Sequence, residues 1–501
     1  MATHRLLVLA PLVLALPLSA GALAVPPTVV DASTLTHKFM MGFQGWFATP
    51  CDKMGKGWSH WSRGSKTPGP DPEIKGFLNF DSWPDMSEFD ADELCPTDLT
   101  YANGSKAGLY SNANPKTVAR FFRWMADAGV DGVWKQRFIS DVSNPTGLAF
   151  NDKVTRNVEA GAEASGRVYA IMYDISGQPG VTLLARIKKD WEHVAHELKL
   201  PSGSRYLHHR GRPIVSIWGL GFTSRDIIAT TATAIQDYFE SVNVTLMGGV
   251  PTGWRDLTRD SDTDPAWAKV YRRFAVISPW TVGRYTSVGG LSTVDQFLNK
   301  YILPDAAEAR RAGADYLPVV FPGGSAHYEP RVPTQPFNRC PRDGGNFLWR
   351  QLYNALVEAK VEMLYGAMFD EVSEGTAFYK IAATKAETPA NAELLYNDID
   401  DGVKVPSDWW LQLAGMAAEA LRGGSQLKKG MPCCEGCSCP AVKPDSNSSK
   451  GACRTALLVA CEASATVSAC DACAAEHQHV LRLANCSNAD VQHFCAIDRW
   501  Q

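Results

Sequence analysis

The chain of 501 residues is 45% hydrophobic and 20% charged, the composition of a globular protein, and at that length it exceeds one ordinary core unless it forms a barrel with insertions. Its 49 basic and 53 acidic side chains give a formal charge of -4, so no basic field draws nucleic acid or anionic lipid, and both are excluded as partners.

Met1 to Ala24 opens with His4 and Arg5, continues through the apolar run Leu6 to Leu18 and ends in small residues, the pattern of a cleaved secretory signal peptide over 1–24. The alternative is an uncleaved anchor, but the run is shorter than the ~20 residues that a span needs, and no other stretch is apolar enough to cross a bilayer. The expectation is therefore a secreted, extracellular protein with no membrane span. Asn103-Gly-Ser and Asn447-Ser-Ser fit glycosylation sites on loops, whereas Asn243-Val-Thr abuts an expected strand.

Residues 38–423 alternate short apolar runs with helical periodicity. The runs are Phe39 to Trp46, Gly132 to Phe138, Val168 to Tyr173, Pro213 to Trp218, Val244 to Val250, Phe274 to Ser278, Tyr316 to Phe321 and Met363 to Phe369. Amphipathic segments accompany them at Thr117 to Ala128, Val154 to Ala164, Leu183 to Leu198, Arg225 to Ser241, Pro265 to Arg273, Val294 to Ala312, Phe347 to Ala359 and Trp409 to Leu421. Eight such alternations predict an α/β protein, a (β/α)8 TIM barrel, because parallel strands buried on both faces read as continuous apolar runs. An open doubly wound sheet is the alternative, and no Gly-rich phosphate fingerprint follows the first run to support it. Ser407 is expected to cap the last helix and Gly423-Gly424 to end it, while Gly129 and Gly313 suit left-handed helix ends.

The first connection, from Ala48 to Pro115, is long and rich in Trp, Gly, Pro and Asp; loops of this length are usually functional. Cys51 and Cys95 lie inside it and could staple it, leaving Cys340 as the odd cysteine of the barrel.

A barrel of this class carries its site at the C-terminal ends of its strands. Those exits supply Trp46, Trp134, Gln136, Arg137, Tyr173, Asp174, Trp218, Trp254, Arg255, Trp280 and Arg284, all candidate substrate contacts. Such an inventory suits sugars, whose C–H faces stack on tryptophan and whose hydroxyls take planar Asp, Arg or Gln partners. A single Trp there is more often core, and some of these five are structural.

The last exit reads Phe369-Asp-Glu-Val-Ser-Glu-Gly-Thr376. Glu371 and Glu374 stand three residues apart where a buried strand emerges, and two acids so close cannot easily both ionise, which drives their pKa values apart. An acid and a base at one pH are what glycosidic cleavage needs. The bland reading is a solvated loop. Asp370 and Asp174 come next as proton-network or hydroxyl-binding groups. A cluster of Glu371, Glu374 and Asp370 could hold calcium, but the oxygen-rich loop pattern is missing, so no metal and no cofactor is expected.

From Met431 the composition changes. Ten of the 13 cysteines fall between Cys433 and Cys495, first in a Cys/Pro/Ser-rich linker (424–452) and then in a small helical module (453–501). In an oxidising compartment this density means disulfides; a metal site at Cys470-x-x-Cys473 with His477 and His479 nearby is the competing reading. Cell-wall or glycan contact is the role such a module suggests.

The Phe369 to Thr376 motif resembles the Phe-Asn-Glu-Trp-His-Glu-Gly-Thr motif at the last barrel strand of glycoside hydrolase family 99, the endo-α-mannosidases and endo-α-mannanases. The aromatic first strand, the Gly211-Arg-Pro-Ile-Val-Ser run and the Phe321-Pro-Gly turn before Arg342-Asp-Gly-Gly345 are similar too. The segments from Gly57 to Gly64, Asp81 to Glu88 and Pro406 to Trp410 look closer to the family 71/99-like proteins labelled xylosidase/arabinosidase. The resemblance covers roughly residues 38 to 422. It implies a glycoside hydrolase acting on a polysaccharide or glycan, with Glu371 as a base drawing the proton from a sugar 2-hydroxyl and Glu374 as the acid that protonates the leaving oxygen. Configuration would be retained through a 1,2-anhydro sugar. Here Val372-Ser373 replace Trp-His and Asp370 replaces Asn, which bears on mannose-specific contacts more than on the chemistry. A non-catalytic carbohydrate-binding protein on the same barrel, and a structural protein attached through the cysteine module, are the other readings.

Overall fold

The computed structural model describes residues 28–63, 66–70, 78–328, 335–399 and 403–434. The signal-like segment, most of the linker and the cysteine-rich module lie outside the described residues, as does Asn447. Nine strands run parallel in one curled sheet: β1 (Phe39–Phe43), β2 (Gly132–Phe138), β3 (Val168–Asp174), β4 (Arg212–Trp218), β5 (Thr245–Val250), β6 (Val276–Pro279), β7 (Asp315–Tyr316), β8 (Val319–Val320) and β9 (Leu364–Gly366). Their order is β7-β6-β5-β4-β3-β2-β1-β9-β8, and His208–His209 adds a short antiparallel edge to β4. Every residue of β1, β3 and β5 is buried, which explains why these strands read as unbroken apolar runs.

The two ends of that order are neighbours in the chain. Leu317 N–H donates to Ile277 O of β6 (2.9 Å), and Tyr365 N–H of β9 donates to Pro318 O (3.0 Å). The seventh apolar run is thus divided between its two flanking strands, and it breaks at the proline, which has no N–H to give.

Helices follow the strands: α1 (Pro115–Ala128), α2 (Pro145–Ser165), α3 (Gly180–Glu192), α4 (Ala229–Ser241), α5 (Ala266–Arg272), α6 (Ser292–Phe297), α7 (Leu303–Arg311), α8 (Asn346–Tyr353) and α9 (Trp409–Leu421). In α1, Val118, Phe121, Phe122 and Met125 bury one stripe at helical spacing, Asn114 caps the start by accepting from Lys116 N–H, and Gly129 ends it at φ 78°. A cap of this kind contributes about 1 kcal/mol. The last helix departs from expectation: Asp408, not Ser407, occupies its cap position and makes no side-chain cap bond, its carboxylate accepting instead from Gln412 Nε2 (2.8 Å). No helix among the described residues is long and apolar enough to cross a membrane.

The connection over residues 48–115 folds back on the curled sheet. It contains an antiparallel hairpin, Leu94–Thr100 with Lys106–Tyr110, and a disulfide between Cys51 and Cys95 whose Cα atoms are 5.7 Å apart. Asn103 sits exposed in the hairpin turn, whereas the Thr245 hydroxyl beside Asn243 is buried and donates to His209 O. Cys340 is a buried free thiol.

Candidate active site

Pairing in β9 stops at Gly366, three residues earlier than the apolar run suggests, and the Ala367–Met368 peptide is cis. The chain then forms a turn that presents the acidic residues. Phe369 N–H donates to Gly42 O (2.7 Å) at the exit of β1, Thr376 N–H closes back on Glu371 O (3.0 Å), and Gly375 takes φ 66°, where a Cβ would press on Ser325.

Neighbouring segments brace this turn through its carbonyls. Asp81 and Ser82 N–H both donate to Val372 O (3.0 and 3.2 Å), Ser325 N–H donates to Glu374 O (2.8 Å), and Arg342 Nη2 donates to Gly375 O and Ala377 O (2.9 Å each). Arg342 in turn lies over the Trp410 ring at 4.6 Å. Asp81, fully buried, accepts from the Ser325 hydroxyl and from His327 and Tyr328 N–H (2.8 and 2.9 Å), so the long first connection is tied to both sides of the turn. Burial raises the Asp81 carboxyl above its ordinary range despite those donors.

Glu371 is 2% exposed. One oxygen accepts from Ser373 N–H (2.8 Å) and Glu374 N–H (3.2 Å), the other from Gln44 Nε2 (3.0 Å). Burial first, then the negative fields of Glu374 and Asp370, push its pKa well up, while the backbone donors oppose the shift. Glu374 stands at the half-buried end of the same turn. Asp370 is fully buried and accepts from Gln44 and Gly45 N–H (2.8 and 2.9 Å); burial raises it to about 6 against those two donors and the nearby Lys135 ammonium.

Facing the turn is an aromatic and polar wall. The Tyr365 hydroxyl lies 3.2 Å from Met368 Sδ and 3.6 Å from Met172 Sδ, with Gln136 Nε2 3.8 Å from Met368 Sδ. Asp174 is 8% exposed and acts on Tyr365 through its charge. Trp280 meets Tyr365 at 6.5 Å and Trp218 at 5.3 Å, both edge-on, and Trp46 stacks between His60 (3.7 Å) and Phe138 (4.9 Å). Among the described residues, Gln44 Oε1, Trp46 Nε1, Trp134 Nε1, Gln136 Oε1, Trp218 Nε1 and Ser373 Oγ are buried with no hydrogen-bond partner. Two of these, Ser373 Oγ and Gln44 Oε1, belong to the turn and to the side chain that bonds Glu371, and a buried polar atom left unsatisfied there is open to a ligand. No group of three or more His, Cys, Asp or Glu among the described residues is placed to hold a metal ion.

The structure gathers Trp46, Gln136, Asp174, Trp218, Trp280, Asp370, Glu371 and Glu374 in this way. It does not gather the other expected contacts. Strand alternation sends Arg137 to the helix side, where it makes a two-pronged pair with Asp190 (2.8 and 2.7 Å) and a third bond to Asp152 (3.0 Å). Tyr173, of the same parity on β3, is fully buried beside Asp190 and Arg137. Trp254 is fully buried under Arg272 (5.6 Å), Arg255 is paired with Asp305 (2.9 Å) near the helical segment 298–311, and Arg284 is paired with Asp260 (2.7 Å). Trp134 shares the parity of Gln136 but is fully buried. Sequence reasoning passed over Gln44, Tyr365 and Asp81. Gln44 was visible as a strand-exit amide; nothing local distinguished Tyr365 from core or Asp81 from solvated loop.

No model of a known protein family matches the chain, and no curated protein does. Two solved structures of the GH99 endo-alpha-mannosidase from Bacteroides thetaiotaomicron match it in shape. One superposes with a TM-score of 0.53 at 12% identity, the other, in complex with bis-tris-propane, with 0.54 at 14%. Each alignment covers 78% of this chain and 99% of the other. The fold is similar to that of a family 99 glycoside hydrolase.

Proposed function

We propose that this protein is a glycoside hydrolase of the family 99 kind, a (β/α)8 barrel in which the β7 and β8 segments together count as the seventh strand. The observation that carries this reading is Glu371: a nearly fully buried carboxylate, held by three N–H donors, three residues from a second glutamate at the solvent edge of the same turn. Burial and like charge raise its affinity for a proton, as a base working near neutral pH requires. Glu371 draws the proton from the sugar 2-hydroxyl as that oxygen attacks the anomeric carbon, and Glu374 protonates the departing oxygen. The C–O bond to the leaving group breaks and a 1,2-anhydro sugar forms. Glu374, now ionised, then takes a proton from the water that attacks the anomeric carbon, and the proton on Glu371 returns to the 2-oxygen as the anhydro ring opens. Two inversions retain configuration, an exception to the usual two-carboxylate scheme.

The substrate is a polysaccharide or glycan, a reading supported by the strand-exit tryptophans: Trp280 against Tyr365 and Trp218 (6.5 and 5.3 Å), and Trp46 next in the chain to Gly45, whose N–H holds Asp370. Secretion is part of the proposal, supported by the signal-like N-terminus and by the Cys51–Cys95 disulfide, a bond that persists in oxidising compartments. The barrel over 38–423 would then carry the chemistry, and the module at 453–501 contact with a wall or glycan. Release of reducing sugar from mannans, α-glucans and arabinoxylans tests the reading. Wild type is expected to act on one class and Glu374→Gln to lose ~10²–10⁴-fold in kcat with the fold intact. Binding without release by wild type would make it a carbohydrate-binding protein instead.

A further inference from the structure

Gln44 and Asp370 are joined in a closed circuit that the glycosidase reading leaves without a role. Both Asp370 oxygens are engaged by main-chain N–H groups of the segment leaving β1, Gln44 at 2.8 Å and Gly45 at 2.9 Å. Gly45 holds φ 61°, and a Cβ there would press on Phe43 and Val154, so the chain turns sharply just after Gln44. That turn aims the Gln44 side chain at Glu371, where its Nε2 bonds the oxygen that no backbone group reaches. The circuit therefore runs from the Asp370 carboxylate to the Gln44 backbone, along the Gln44 side chain to the Glu371 carboxylate, and back to Asp370 through one peptide bond.

Resting on the reading of Glu371 as the base, we propose that Asp370 and Gln44 are a positioning pair: Asp370 fixes the backbone of Gln44, and Gln44 fixes the orientation and proton affinity of Glu371. The motif that this turn resembles has asparagine at position 370. An asparagine offers one acceptor oxygen and would turn its NH2 toward a second N–H, donor against donor, so this β1 exit requires the carboxylate that the chain has. Asp370 itself is fully buried, its two oxygens engaged by the Gln44 and Gly45 N–H groups. The charged and titratable groups around the pair are Glu374 on the same turn, Tyr379 beyond it, Tyr365 from β9, Tyr110 from the hairpin and Lys135 from β2.

The test compares the full-length protein with Gln44→Met, Asp370→Asn and the double variant. It follows the pH profile of kcat/KM and, independently of any substrate, the titration of Glu371 by carbon-13 NMR of labelled glutamate carboxyls, assigned by the resonance lost in Glu371→Gln. Removing the Gln44 donor, which favours the ionised form, is expected to raise the Glu371 midpoint by about one pH unit. The acidic limb of the profile should move with it. In the Asp370→Asn background Gln44 is already released, and the same substitution is expected to leave the midpoint where it is. Equal shifts in the two backgrounds, or no shift in either, would overturn the proposal. Asp370→Ser, smaller and with a single hydroxyl oxygen, carries the same expectation should Asp370→Asn fail to fold. Full activity in Glu371→Gln would instead sink the catalytic reading, and the NMR midpoints would still decide the positioning.

Discussion

Arg137 separates a residue that reads as functional from one that is. Its guanidinium is fully buried, bidentate to Asp190 and bonded to Asp152, so it holds α2 and α3 to β2 on the side of the strand away from the turn that carries Glu371. Breaking such a pair from one side leaves uncompensated charge and costs about 3–5 kcal/mol. Arg137→Met is expected to lose that much in urea unfolding while kcat/KM of the folded fraction stays within about twofold; a large fall in kcat/KM at unchanged stability would return Arg137 to the substrate site. The strand exits were legible in the sequence as places, and the residues at them as types. Which side chains point inward was not, because parity needs one fixed reference. Once Gln136 is seen beside Met368, alternation places Lys135 and Arg137 on the helix side without further information.

At the scale of elements, the eight apolar runs each contain a strand, since fully buried parallel strands leave a strong signature. Their ends were less legible. The run from Met363 to Phe369 carries only Leu364–Gly366 as strand, because its last residues serve the turn and not the sheet, and Pro318 divides the seventh run. The long connection showed its importance by length but not its geometry. Its bonds to the turn run through backbone groups of Asp81, Ser82 and Val372, which any sequence could supply. The Cys51–Cys95 pair was a possibility in sequence and is a bond in the structure. It closes a separation of 44 residues, for which chain entropy gives about 4 kcal/mol. Replacing both cysteines with serine is expected to lower stability by that order. Because the hairpin and the Asp81 segment belong to the same connection, kcat/KM is also expected to fall in the folded fraction; unchanged stability under reducing and oxidising conditions alike would refute the staple.

For the molecule as a whole, the buried charges near the site shape stability against pH. Lys135 is fully buried on the helix side of β2, its ammonium donating to Gln136 O and to Asn151 Oδ1 (3.3 Å), and burial followed by the field of Arg137 lowers its pKa to about 7. In the unfolded chain a lysine keeps its proton to about 10.4. Between those values the unfolded state binds more protons than the folded state, so this residue makes stability rise with pH across that window and contributes no slope below it. Asp370 acts with the opposite sign. Its folded value of about 6 lies above the ~3.9 of an unfolded aspartate, the folded state holds the extra proton between them, and stability falls as pH rises through that range. Together the two place a trough in the stability curve near neutrality. The contribution of Lys135 is isolated by comparing wild type with Lys135→Met in urea unfolding across pH 6 to 9.5, a range set by those values. The difference, wild type minus variant, is expected to be flat below about pH 7 and then to climb by about 1.4 kcal/mol per pH unit. A difference that stays flat throughout would mean that Lys135 remains protonated in the folded protein, its ammonium stabilised by Asp370 and Asp141 more strongly than burial opposes it. In that case the Asp370 carboxylate beside it would carry its charge at lower pH as well, and the trough would vanish from both sides.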